Sequence, residues 1–153
     1  VIIPIKEIEI MTQFNNTKIN RYLNMAKETS KHSNYHQHRL GAVVIYKGSL
    51  LATGHNSTKT NPRQKELNRE RGWDVEASDA HNTVHAEMAC LSKIRYLDID
   101  FSKVKLYVYR EHKNGVKALA RPCPACQKMI KDMGIKEVWF TTENGFGYEW
   151  MED

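Results

Sequence analysis

The chain has 153 residues, 41% hydrophobic and 27% charged, with a formal net charge of +5. That length suits a single domain whose core needs no covalent staple, and no apolar stretch approaches the roughly 20 residues of a membrane-crossing helix. Three cysteines, Cys90, Cys123 and Cys126, are too few for the disulfide framework of a small secreted protein and fit a reducing cytoplasm.

Residues 1–16 read as an N-terminal extension. Val1 to Ile5 is apolar, but Lys6 and Glu7 follow at once, which is too short a run for a secretory signal. A single domain is expected over 17–153. Thr17 to His32 predicts a helix, with Ile19, Tyr22, Leu23 and Ala26 on one face and Asn16 or Thr17 as its cap. His32, His36 and His38 follow in what reads as a surface loop. Leu40 to Tyr46 is a short β-branched run expected to be buried on both faces. Lys47-Gly48-Ser49 turns the chain, and Leu50 to Thr53 returns antiparallel.

The polar stretch 57–83 reads as an insertion. Within it, Asn61-Pro62 opens and Gly72 closes a surface helix, on which Arg63, Lys65, Arg69 and Arg71 alternate with acids as a solvated face. Val84 to Leu97 predicts a central helix, and Cys90 within it reads as a small buried hydrophobe. Val104 to Tyr109 alternates as a strand. Asn114-Gly115 is a turn signal, with Val116 to Ala120 as the return strand. Cys123 to Met133 predicts a third helix, stopped by Gly134, and Lys136 to Thr141 a further buried strand. The order predicts an α/β fold of three layers, α-β-α, with a mixed five-stranded sheet covered by helices on both faces.

The chemistry is concentrated in His85-Ala86-Glu87 and Pro122-Cys123-Pro124-Ala125-Cys126. One histidine and two thiolates can hold a zinc ion and leave the fourth position open, which is how a catalytic zinc differs from a structural one. H-x-E followed by P-C-x-x-C is the pattern of zinc-dependent nucleobase deaminases. Pro122 suits a helix start, which places Cys123 and Cys126 on one face of a first turn, at the positive end of the helix dipole. With His85 at the start of the central helix, two helix N-termini would face one metal ion. Glu87 is then the proton carrier rather than a ligand. Backbone N–H groups near Ala86 and Cys123 are placed to hold the attacking water or the developing charge. The competing reading is a non-catalytic zinc module, with a fourth ligand from His81, His112 or Glu87.

With these motifs, the chain resembles the cytidine deaminase superfamily and is most similar to its deoxycytidylate deaminase and tRNA adenosine deaminase branch. The matching pieces are GAVVI at Gly41 to Ile45, TGHN at Thr53 to Asn56, VHAEMACL at Val84 to Leu91, KLYVY at Lys105 to Tyr109 and the run from Arg121 to Phe140. The resemblance implies the three-layer fold, one catalytic zinc per chain and a substrate-sugar contact from Asn56. A histidine first ligand points to the nucleotide and nucleic-acid branches. Departures are the extra segment Arg110 to Ala120 and arginine at position 121. The long insertion is similar to one that holds a second zinc in some deoxycytidylate deaminases, but this one has no cysteine, so no second metal is expected.

The expected activity is zinc-dependent hydrolytic deamination of a cytosine nucleotide of the deoxycytidylate type, releasing ammonia. The alternative is a deaminase acting on a base in tRNA or single-stranded DNA; the net charge suits either ligand. Arg110 and Arg121 are candidates for substrate phosphate or sugar. Phe146, Tyr148 and Trp150 either stack over a base or pack on the sheet edge. A cytoplasmic protein and a homo-oligomer are the remaining expectations; no membrane partner is expected.

Overall fold

The run Leu40 to Tyr46 forms the centre of strand β2 (His38–Tyr46), which turns through Lys47 and Gly48 into β3 (Ser49–His55). Both turn residues have positive φ, 51° and 81°, the left-handed conformation that a tight hairpin requires. Ala42 to Ile45 are all buried, as a strand covered on both faces must be. The structure, a computed structural model, describes residues 2–3, 16–35, 38–59, 62, 65, 66, 69 and 84–152.

The remaining elements are β1 (Ile2–Ile3), α1 (Asn16–Ser30), α2 (Ala86–Ser92), β4 (Val104–His112), α3 (Pro124–Met133), β5 (Glu137–Thr141) and β6 (Phe146–Trp150). The strands form one sheet in the order β1-β6-β5-β4-β2-β3. Only β4 and β5 run parallel, and α3 supplies the crossover such a pair needs. The expected five-stranded mixed sheet is therefore present, with the two-residue β1 added at the β6 edge.

Strand alternation sorts side chains into two cores. Val44, Leu106, Val108 and Val138 pack under α2 and α3 with Met88, Leu91 and Ile130. On the other face Val43, Ile45, Tyr107 and Trp139 pack against Ile19, Tyr22, Leu23 and Ala26 of α1. Gly41 and Gly54 let the helices sit close to the sheet. A Cβ at Gly41 would overlap Ala26 O, and one at Gly54 would overlap the α2 backbone at Cys90 and Ala86. At the end of α3, Gly134 takes φ 88° and the Ile135 N–H returns to Ile130 O at 3.1 Å.

Several expectations are corrected. The central helix ends at Ser92 rather than Leu97, because Lys93 and Ile94 make i→i+3 bonds to Cys90 and Leu91 that tighten it into turns. The expected return strand Val116 to Ala120 makes one bridge, Glu111 to Lys117. It then leaves β4 for β5, where Ala120 N–H bonds Thr141 O at 2.9 Å. Pro124, not Pro122, occupies the first turn of α3, and Cys123 is its N-cap. Phe146 meets Trp139 edge-on at 5.9 Å and Tyr148 lies tilted against it at 4.7 Å, on the α1 face. That is the face opposite α2 and α3, so they pack on the sheet and do not cover the metal site. Most of the expected helix from Asn61 to Gly72, residues 60 and 73–83 of the insertion, His36 and residues 4–15 lie outside the described residues.

Candidate metal centre and active site

Helices α2 and α3 both follow strands and begin at the same end of the sheet. Their N-caps are His85 (φ −85°, ψ 156°) and Cys123 (φ −69°, ψ 166°), and neither side chain caps its own helix. Each side chain is therefore free to point across the gap between the helices. The segment before His85 is pinned to the end of β3 by Ser57 N–H to Val84 O at 3.2 Å and Val84 N–H to Lys59 O at 2.9 Å.

His85 Nδ1 lies 3.5 Å from Cys123 Sγ and 3.5 Å from Cys126 Sγ. Zinc bonds of about 2.3 Å to sulfur and about 2.0 Å to nitrogen, at tetrahedral angles, put N and S roughly 3.5 Å apart. The three ligand atoms lie within 4.8 Å of one another, the one such group among the described residues. The donor set and its spacing fit a tetrahedral zinc with one position left over. That Nδ1 is the nitrogen facing both sulfurs is a detail that the order of residues does not contain.

The thiols are already polarised. A hydrogen bond from Cys126, aided by His85, holds the Cys123 thiol down to about 3, while that bond and burial push the Cys126 thiol up. The two sulfurs thus share one proton, which a cation bound by both would displace. Glu87, in the first turn of α2, is 3% exposed and its Oε1 has no hydrogen-bond partner. Burial raises its pKa against the lowering pull of His85. A buried carboxylate oxygen without a partner is rare, and here it lies beside the three-ligand group.

Asn56 is 4% exposed at the end of β3. Its Oδ1 accepts from Leu40 N–H at 3.0 Å and its Nδ2 donates to His38 O at 3.1 Å. One Nδ2 proton remains available. Ala86, fully buried, is the first residue of α2, where backbone N–H groups have no helical partner. Arg121 is committed elsewhere, donating from Nε and Nη2 to Glu149 Oε1. Cys90 is buried, its thiol directed at Ala52 O at 3.4 Å, as expected for a packing residue.

Reading His38 as a loop residue missed its place. It begins β2 on the same face as Leu40 and Ala42, where burial first, then the charges of Arg110, His85 and His112, lower its pKa. The signal was present: the two-residue alternation of β2, traced back from Ala42 through Leu40, arrives at His38.

The chain matches the cytidine and deoxycytidylate deaminase zinc-binding region over residues 16–142, and it belongs to that family. Among solved structures, the dCMP deaminase from the cyanophage S-TIM5 in apo form is 25% identical, covering 82% of this chain and 83% of that one with a TM-score of 0.55. The same phage enzyme in complex with dCMP and dUMP is 24% identical, covering 79% and 78%, TM-score 0.52. Cytidine deaminase from Burkholderia pseudomallei is 14% identical, covering 86% and 91%, TM-score 0.58. No curated protein sequence matches the chain. The fold, the His-Cys-Cys group and the family together make this chain a zinc-dependent hydrolytic deaminase of the cytidine and deoxycytidylate type.

Proposed function

We propose that the chain removes the 4-amino group of cytosine in a deoxycytidylate-type nucleotide, with His85, Cys123 and Cys126 holding the zinc and Glu87 moving the protons. The observation that carries the assignment is the buried, unpartnered Oε1 of Glu87 beside the His85-Cys123-Cys126 group. The nucleotide is favoured over the nucleoside by the likeness to the S-TIM5 dCMP deaminase.

Zinc in this site supplies Lewis acidity that makes water a nucleophile at neutral pH. The chain's own groups handle the rest. Glu87 takes a proton from the attacking water and delivers it to N3 as the oxygen bonds to C4. It then carries the second proton to the exocyclic nitrogen, the C4–N4 bond breaks, and ammonia and the uracil product leave. The backbone N–H of Ala86 holds the developing charge, and the spare Nδ2 proton of Asn56 bonds a sugar hydroxyl.

Glu87→Gln tests the reading. The variant should keep its zinc and lose ammonia release on deoxycytidylate by about 100-fold or more, the scale of general acid–base catalysis. Turnover retained in a preparation free of contaminating deaminase removes Glu87 from the mechanism.

A further inference from the structure

The alternation that sends Val108 of β4 under α2 and α3 sends Arg110 to the same face, beyond the core and at the strand end where both helices begin. Arg110 Nη1 donates to Leu119 O at 3.3 Å, but its Nε is buried and has no partner. No carboxylate among the described residues lies within ion-pair distance of it. A guanidinium carries five donors in a planar fork that matches an oxyanion. Here the buried Nε makes none of its bonds, which is costly where water is excluded.

The surroundings give this cation a place on the reaction path. Leu40 lies opposite Arg110 and His38 opposite His112 in the β2–β4 register. Burial first, then Arg110, His85 and His112 lower the pKa of His38, so these charges surround one side chain at this end of the sheet. Asn56 is bonded to His38 O, which joins the sugar position to the same wall. Asn56 also accepts from the N–H of Leu40, the residue opposite Arg110. The nearest acid by register is Glu111, whose carboxylate accepts from Tyr109 OH at 3.0 Å on the α1 face of the sheet, away from Arg110.

We infer that Arg110 binds the phosphate of the substrate, and that this arginine makes the chain selective for a phosphorylated substrate over the free nucleoside. The inference rests on the deaminase reading above. Arg110 belongs to the segment by which this chain departs from the family pattern, so the selectivity is a property of this chain's own residues.

The test uses the full zinc-loaded chain with deoxycytidine and deoxycytidylate, as wild type, Arg110→Gln and Arg110→Lys. The ratio of kcat/KM for deoxycytidylate over deoxycytidine should fall about 10- to 100-fold in Arg110→Gln, the scale of a charge-assisted hydrogen bond. Arg110→Lys should recover part of it, as a point charge without the fork. Binding of deoxyuridylate, deoxyuridine and inorganic phosphate by calorimetry is the second readout and does not need turnover. Wild type should bind deoxyuridylate more tightly than deoxyuridine, and Arg110→Gln should erase the difference. An unchanged ratio, or equal loss on both substrates from a disturbed Leu119 contact, overturns the role of Arg110. So does a wild type that binds the two uridine ligands equally. A wild type that deaminates neither compound but still shows the Arg110-dependent binding difference instead overturns the assigned reaction and leaves the phosphate site standing.

Discussion

Arg121 donates to a single oxygen of Glu149, from Nη2 at 2.7 Å and Nε at 3.1 Å, and so ties the residue two before Cys123 to the β6 strand. Glu149 is 4% exposed, whereas the arginine side chain is 38% exposed. The pair is therefore half-buried, with an acid that has little water to fall back on. Breaking it strands the carboxylate. Arg121→Met should destabilise the fold by about 1–3 kcal/mol, below the figure for a fully buried pair because the arginine end is solvated. The variant should also lose zinc faster to a chelator, since the pair steadies the segment that carries Cys123. Urea midpoints and zinc-release rates check the two effects separately, and a release rate equal to wild type removes the link to the metal.

Gly54 is where β3 meets α2, and the space a methyl would need is occupied by α2 backbone at Ala86 and Cys90. Backbone cannot rotate away as a side chain can. Gly54→Ala should cost about 1–3 kcal/mol as overpacking and should shift the first turn of α2, which holds Glu87 next to His85. Zinc content and ammonia release should fall together in the folded fraction. Gly115→Ala serves as the contrast for packing, because nothing lies near the Cβ there; its cost arises from φ 85° alone and should leave the metal untouched.

Asn56 closes the hairpin against β2 through both ends of its amide. Asn56→Ala leaves the Leu40 N–H and the His38 C=O unpaired and should cost about 1–3 kcal/mol of stability. Asn56→Asp retains the acceptor for Leu40 but sets a carboxylate oxygen against the His38 carbonyl, and it also loses the proton assigned to the sugar. Its kcat/KM should fall further than its melting temperature suggests. Parallel measurement of both quantities decides whether the residue acts on substrate or only on the fold.

Cys90 provides a pH-dependent term away from the metal ligands. Burial pushes its thiol from 9.0 up to about 12. In the folded chain the proton stays on; in the unfolded chain it leaves near 9. The contribution to stability is thus complete below about pH 9 and declines as the pH rises from 9 toward 12, because the unfolded state sheds a proton that the folded state keeps. Stability measured against pH should fall less steeply over that window in Cys90→Ala than in wild type. At pH 8 the folded thiol should resist alkylation and react once the chain is unfolded.

Much of the fold is written in local order. The alternation in KLYVY, the β-branched run of β2, the glycine after Met133 and the helical spacing of Ile19, Tyr22, Leu23 and Ala26 each act within a few residues, and the matching elements are present. The boundaries that moved did so for tertiary reasons. Val116 to Ala120 abandons its hairpin because Thr141 of β5 offers bonds to Ala120 N–H and Ala118 O. Phe146 and Tyr148 form a strand because β5 has an open edge and Trp139 an open face.

The candidate site divides in the same way. That one imidazole, two thiols and a carboxyl belong together is a matter of residue type and short spacing, which the chain order carries intact, and so are the zinc chemistry and the family. Which ring nitrogen faces the sulfurs, the loss of Arg121 to Glu149 and the meeting of His38 with Arg110 and His112 across β2 and β4 all depend on contacts between segments far apart in the chain. Distance, burial and unspent hydrogen bonds exist only after α2, α3 and three strands have met, because Coulombic and desolvation energies follow separation in space and not position along the chain.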